Sequence, residues 1–237
     1  MFEAIFTDNF AFQRHSTEHY VALLLTFVFG GLLLHYGRNK WSEEQRLRYI
    51  FYFSLFILFF QAFKTVTQVS LGVFNPEKDI PLHLCNFMPY LMPIIFYKRS
   101  RQAWAILFFW IVAGTFQAIF TPTQDHAFPH YDSWRYWFAH SGLVVMALYG
   151  AIALRWTITW KDALYSDIAM NLLAFVVYPI NLYFNSNYMY LLAKPPGKTM
   201  YDLLADWPHY ILCLEGVIVI LFGILLIPFW VAKYYRS

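Results

Sequence analysis

The chain has 237 residues, of which 59% are hydrophobic, 22% aromatic and 13% charged, with a formal net charge of +3. Soluble domains carry about 25% charged residues, so this composition excludes an ordinary soluble globular domain. The small net charge, without a basic run, also argues against a nucleic-acid partner.

Apolar stretches recur along the whole chain. At 1.5 Å rise per residue, about 18 to 20 residues cross a hydrocarbon core of about 30 Å. Seven such stretches lie at roughly 19–36, 47–71, 81–97, 102–120, 134–155, 161–184 and 208–232. The sequence therefore predicts an all-α fold, a polytopic membrane bundle of about seven transmembrane helices that forms one domain over residues 1–237. No cleavable signal peptide is expected, because the first stretch follows a polar lead without a small-residue cleavage site.

Basic residues in the loops predict the orientation, because Lys and Arg are retained on the cytoplasmic side. One side holds eleven of them: Arg38, Lys40, Arg46, Arg48, Lys98, Arg99, Arg101, Arg155, Lys161, Lys233 and Arg236. The other side holds five: Arg14, Lys78, Arg135, Lys194 and Lys198. The bias predicts an N-terminus outside and a C-terminus inside.

Polar groups inside the predicted spans mark a candidate site, because such groups are costly in hydrocarbon and usually face the bundle interior or a water-filled cavity. Four groups on spans two to five lie about 5–10 Å below the outer ends: Lys64, Cys85, Gln117 and His140. Other polar groups near the same side are His19, Asn86, Asn181, His209 and Glu215. We expect one polar cavity that opens to the outer leaflet.

Cys85 is the candidate nucleophile of this cavity. A cysteine attacks as the thiolate, which in apolar surroundings needs an adjacent base or positive charge. His83 is about 200° away around a helix and is a poor base, whereas His140 lies at a matching depth and Lys64 adds a positive charge. These residues alone leave open a second interpretation, in which Cys85 is a buried packing residue without a catalytic role. Cys213 is expected to be a small buried hydrophobe, and neither cysteine has disulfide or zinc-ligand spacing.

Five short motifs spread over the chain carry a family resemblance. They are Pro81-Leu82-His83-Leu84-Cys85-Asn86, Gln117-Ala118 with Thr121-Pro122, Phe138-Ala139-His140, Asn185-Ser186-Asn187-Tyr188-Met189-Tyr190-Leu191, and Pro208-His209-Tyr210 with Glu215. With the number and spacing of the spans, they resemble the bacterial integral membrane proteins of the YwaF type. The eukaryotic relatives of these proteins are similar to the transmembrane protein 164 acyltransferases.

The resemblance implies a membrane-embedded phospholipid acyltransferase, or transacylase, in a bacterial cytoplasmic membrane. Cys85 would carry the acyl thioester and His140 would act as its base. The partners would be a membrane phospholipid and a lysophospholipid, with no cofactor and no metal. On chemical grounds an acyl group on Cys85 fits a lipid hydrolase as well as an acyltransferase, and the candidates for oxyanion stabilisation are Lys64, Asn86 and Gln117. The remaining substrate-binding candidates are His19, Asn181, His209 and Glu215.

Two other functions stay open at this level. The chain could be a non-enzymatic binder or transporter of a lipid or small solute, although neither inverted repeats nor paired broken helices are visible. It could also be a metal-dependent hydrolase that uses His140 together with outer-loop residues, namely Asp125, His126, His130 and Asp132. The two histidines have the i, i+4 spacing of ligands on one helical turn, but Pro129 between them argues against a regular helix. A substrate-gating loop is the simpler interpretation.

The predicted orientation can be tested by cysteine labelling. In a Cys85→Ser/Cys213→Ser background, a single cysteine placed in the loop 121–133 should react with an impermeant thiol reagent added outside. A cysteine at Arg99 should react only after the membrane is permeabilised. The opposite pattern would place the candidate site on the cytoplasmic side.

Overall fold

A computed structural model describes residues 11–196 and 199–235, and within these ranges the chain is a bundle of helices. They are α1 (Thr17–Asn39), α2 (Glu43–Ser70), α3 (Leu84–Tyr97), α4 (Arg101–Trp110), α5 (Phe116–Phe120), α6 (Tyr131–Ile152), α7 (Trp160–Phe184) and α8 (His209–Tyr234). A π-helical turn, Ile111–Thr115, joins α4 and α5 into one continuous helix. Short 3-10 turns follow at Tyr188–Tyr190 and Met200–Leu203.

The predicted all-helical membrane bundle is confirmed. Counting α4, the π turn and α5 as one span, seven helices cover the seven predicted stretches to within a few residues. Five of them are long and apolar enough to cross a membrane, and α3 is a shorter apolar helix. The chain is therefore a multi-pass membrane protein.

Helix α6 is the central helix. It packs against α1, α2, α3, α4 and α5, so most of its surface faces protein. Its buried side chains include Tyr136, Trp137 and His140. Polar and aromatic groups are tolerated on this helix because neighbouring helices, rather than lipid, surround them.

Side-chain caps fix where several helices begin. Ser42 and Gln45 form a reciprocal capping box at the start of α2, and Thr159 and Asp162 form one at the start of α7. Asp162 also accepts two hydrogen bonds from Arg101, at 2.7 and 2.8 Å. A buried carboxylate needs such a paired partner, so this contact holds α4 and α7 together at one end of the bundle.

The two ends of the bundle differ in their side-chain chemistry. We call the end that contains the start of α1, the end of α2 and the start of α6 the N-terminal end. There the backbone of the lead segment pairs with the loop after α5, since Phe12 N donates to Asp125 O at 2.9 Å. Glu18 in the first turn of α1 accepts from Phe128 N at 3.0 Å and from Ser133 Oγ at 3.3 Å. These contacts tie the loop 121–130 to α1 and α6.

Close helix contacts in the core depend on glycine. Trp104 of α4 is fully buried and donates from Nε1 to Ala147 O at 3.2 Å. A Cβ atom on Gly150 of α6 would lie 2.2 Å from that nitrogen. The absence of a side chain at Gly150 therefore allows the indole to pack against α6.

We expect Gly150→Ala to destabilise the bundle, by about 1–3 kcal/mol, because the added methyl group overpacks a site with no free space. Thermal unfolding of the detergent-solubilised protein would measure this. Gly216→Ala on α8 is the matched control, since a Cβ there would meet nothing within 4 Å. Alanine is the better helix former, so the control should be neutral or slightly stabilising. Equal melting temperatures for the two variants would contradict this account of the core.

Candidate functional site

Arg135 connects three helices at the N-terminal end of the bundle. It lies in the second turn of α6, and its Nε donates to Asp132 Oδ1 at 3.0 Å. Its Nη1 donates to Gln61 Oε1 of α2 and to Asn86 Oδ1 of α3, each at 3.2 Å. The planar guanidinium presents several donors in a fixed arrangement, so one side chain can satisfy acceptors from α2, α3 and α6 together.

Lys64 completes this network from α2. Its ammonium lies 3.2 Å from Asp132 Oδ1, the oxygen that also receives Arg135. The acidic partner of Lys64 is therefore Asp132. Two cations therefore share one carboxylate, which leaves a net positive charge at this point of the network.

Cys85 lies in the first turn of α3, next to this network. Its side chain is partly buried against the core, and Sγ is 4.0 Å from Asn86 Oδ1. The charge of Arg135 and the hydroxyls of Tyr136 and Tyr190 lie within electrostatic range of the thiol. Burial opposes ionisation of this thiol, and the positive charge of Arg135 acts in the opposite direction.

His140 is buried on α6 and lies near the same guanidinium. Its Nδ1 is 2.9 Å from Tyr136 O, and its ring stacks on the Tyr136 ring with centroids 4.0 Å apart. A carbonyl oxygen can only accept, so Nδ1 must carry the proton of the neutral ring. Nε2 is then the nitrogen with a lone pair, which is the state that a general base requires.

Aromatic side chains from the loop before α8 enclose the start of α3. The ring of His83, which precedes α3, lies 5.5 Å from Tyr188 and 5.0 Å from Tyr190, measured between centroids. Burial lowers the pKa of His83 to about 4, so this imidazole is neutral near pH 7. His83 therefore packs beside the tyrosines rather than supplying a charge to Cys85.

A cavity of about 260 Å³ adjoins the network at the N-terminal end. Its lining includes Lys64, Gln68 and Asp132 together with both loop histidines, His126 and His130. Cys85 does not line this cavity. Asp132, which lines the cavity, contacts Arg135, and Arg135 contacts Asn86 beside the thiol.

Two predicted substrate-binding residues serve as internal connections. His19 Nδ1 lies 3.1 Å from His15 N, and its Nε2 lies 3.0 Å from Ile119 O, so both ring nitrogens have protein partners. The Asn181 side chain bonds Tyr188 N, Tyr188 O and the Ser186 hydroxyl at 2.8, 2.9 and 3.0 Å. Each residue fixes a chain segment, and the structure brings neither into the Arg135 network.

Three other predicted residues also lie outside that network. Gln117 and His209 are exposed, on α5 and at the start of α8. Glu215 of α8 accepts from Asn171 of α7 at 3.4 Å. The expectation that Cys213 is buried is wrong, because the thiol is exposed on α8. Helix α8 packs against α7, the π turn and α4, and many of its side chains are nevertheless exposed.

Sequence reasoning missed the residues that organise the site. Arg135 was counted among the basic residues that indicate orientation, and Gln61 and Tyr136 were not selected. The spacing of Asp132 and Arg135, i and i+3 on the first turns of one span, is the signal that could have found the pair. Asp132, His126 and His130 had been grouped only as possible metal ligands.

Replacing Arg135 by Lys should destabilise the protein although the charge is kept, because one ammonium cannot reach acceptors on three helices. Gln61 is 3% exposed and would lose its partner, at a cost of about 1–3 kcal/mol. Thermal unfolding in detergent measures the loss. Arg48→Lys, at an exposed position of α2, is the matched control and should change little. Similar melting temperatures for the two variants would show that the Arg135 network contributes no stability.

Comparison with known proteins identifies the family. A sequence model of the TMEM164 family matches residues 14–226, which includes all the helices of the bundle except the last turns of α8. No curated protein and no solved structure matches the chain. The match spans Arg135, Cys85 and His140 and most of the chain, and the protein therefore belongs to the TMEM164 family.

Proposed function

We propose that this protein is a membrane-embedded phospholipid acyltransferase that works through a thioester on Cys85. The observation that carries the proposal is the position of Cys85 beside the Arg135–Asn86 contact, with His140 near the same guanidinium. A nucleophile, a base in the required tautomer and a fixed positive charge are the groups that acyl transfer needs. Membership of the TMEM164 family is consistent with a lipid-related role in a membrane.

The first half of the reaction transfers the acyl group to the enzyme. His140 Nε2 takes the thiol proton, directly or through one water, and the Cys85 sulfur attacks the ester carbonyl of a phospholipid. The carbonyl oxygen becomes an oxyanion in a tetrahedral intermediate. When this collapses, the ester C–O bond breaks, the lysophospholipid oxygen takes the proton from His140, and the acyl group stays on sulfur as a thioester.

The second half repeats these steps in reverse with a new acceptor. The hydroxyl group of a lysophospholipid gives its proton to His140 Nε2 while its oxygen attacks the thioester carbonyl. The C–S bond then breaks, and the sulfur takes the proton back from His140. The acceptor leaves as a phospholipid, and no oxidant, reductant or cofactor is consumed.

Asn86 and Arg135 are the groups suited to the oxyanion. Asn86 Oδ1 accepts from Arg135, so the Asn86 amide nitrogen is its donor side. Arg135 is held by Asp132 and Gln61 and does not need to reorient as charge develops. A preorganised donor of this kind is worth about 10²–10³ in rate.

Incubation with a radiolabelled phospholipid should leave an acyl group on the wild-type protein that neutral hydroxylamine removes, because thioesters are cleaved by this reagent. Cys85→Ser should carry no hydroxylamine-sensitive label. Cys213→Ser is the matched control, since that thiol is exposed on α8, and it should be labelled like the wild type. Label that persists in Cys85→Ser and is lost in Cys213→Ser would reject the assignment.

The same assay tests His140. Its loss as a general base should lower the rate of acyl transfer about 10²–10⁴-fold in His140→Ala. The double variant with Cys85→Ser should be little worse than Cys85→Ser alone, because groups that act as a unit are strongly non-additive. Full acyl transfer by a folded Cys85→Ala variant would refute the mechanism and favour a lipid or solute binder.

A further inference from the structure

Two histidines and an aspartate meet at the edge of the cavity on the N-terminal end. One potential ligand atom from each of His126, His130 and Asp132 lies within 4.8 Å of the other two. The two imidazole rings stack with centroids 3.9 Å apart and an angle of 23° between their planes. The sequence had placed the histidines in an irregular loop, and the fold brings them side by side without a helix between them.

Backbone contacts hold both histidines in place. The backbone at His126 forms an isolated antiparallel bridge with Ala11, and Phe128 N in the same loop donates to Glu18. His130 is 7% exposed and caps α6, its Nδ1 accepting from Asp132 N at 3.2 Å. In a neutral ring an accepting Nδ1 leaves the proton on Nε2, so a cation that binds Nε2 displaces that proton, and the ring then gives up its contact with Asp132 N.

Asp132 can contribute one oxygen without giving up its contact with Arg135. Arg135 and Lys64 both contact Oδ1, and a carboxylate accepts at either of its two oxygens, so Oδ2 is the atom that would bind a cation. A cation bound there would share the carboxylate with Lys64, and the two positive charges would repel each other. Lys64 has a flexible stem and can turn away into the cavity that it lines.

We propose that His126, His130 and Asp132 bind one divalent cation of the zinc class. Two imidazoles and a carboxylate are a usual zinc ligand set, and three protein ligands leave a fourth position for water. Since all three residues line the cavity of about 260 Å³, that position would face it. The cation would cross-link the loop after α5 to the first turn of α6, next to the ion pair of Asp132 and Arg135.

This site does not depend on acyl transfer through Cys85. His126, His130 and Asp132 line the cavity, Cys85 does not, and the proposed reaction uses none of the three as a base. Zinc binding can therefore be measured in a protein that lacks both cysteines, which also removes the thiols as competing ligands.

The test uses the full chain without a polyhistidine tag, carrying Cys85→Ser and Cys213→Ser, purified in detergent and stripped with a chelator. After equilibration with zinc and desalting, the metal content should be about one zinc per chain. His126→Ala and His130→Ala should each lower it to near zero. His35→Ala is the matched control, because His35 is exposed on α1 and bonded to Asn39, and it should keep the full zinc content. Cobalt in place of zinc should give the visible absorption of a tetrahedral site, lost in the same two variants.

Lys64→Met tests whether the cavity binds a cation, because the Lys64 ammonium repels a cation and would attract an anion. Removal of the competing ammonium should make zinc bind several-fold more tightly, as measured by titration with a competing chelator. No zinc retained by the parent protein, or equal retention in the parent and both histidine variants, would overturn the proposal. So would weaker zinc binding in Lys64→Met. Circular dichroism of each variant establishes that the helices are intact when metal is absent.

Discussion

Charged and amide groups within a membrane-embedded protein must find partners inside the protein. In this bundle Arg135 provides those partners. Its guanidinium binds Asp132 on its own helix, Gln61 on α2 and Asn86 on α3. An isolated acid or amide at these positions would be costly to bury. Together they fix how α2, α3 and α6 lie relative to one another, and the positions of Cys85 and His140 follow from that arrangement.

The same contacts bear on the chemistry that we propose for Cys85. A thiol in an apolar helix bundle would ordinarily be inert, because burial disfavours the thiolate. Here a permanently charged Arg135 lies nearby, and Asn86 presents an amide whose orientation Arg135 determines. The Tyr136 carbonyl sets the tautomer of His140 in a similar way. Contacts that stabilise the fold thus also define the protonation states on which the proposed reaction depends.

Depth along a helix was predictable from the sequence, but the direction of a side chain around the helix was not. Lys64, Cys85, Gln117 and His140 were grouped because they lie at similar depths. Lys64 and Cys85 border the Arg135 network and His140 lies near it, whereas Gln117 points to an exposed surface of α5. A π-helical turn lies just before α5, and such a turn rotates every following residue relative to the preceding helix. No pattern in the sequence announced that rotation.

The sequence by itself determined the all-helical class, the number and limits of the spans, and the short list that contained Cys85, Asn86 and His140. These depend on local quantities, namely runs of apolar residues and the cost of polar groups within them. Only the tertiary structure decided that Lys64 pairs with Asp132, that Arg135 links three helices, and that His126 and His130 stack. Each of these contacts joins residues whose proximity depends on helix rotation or loop path. Helix rotation and loop path are set by packing over the whole bundle, so they cannot be predicted from any single segment of the sequence.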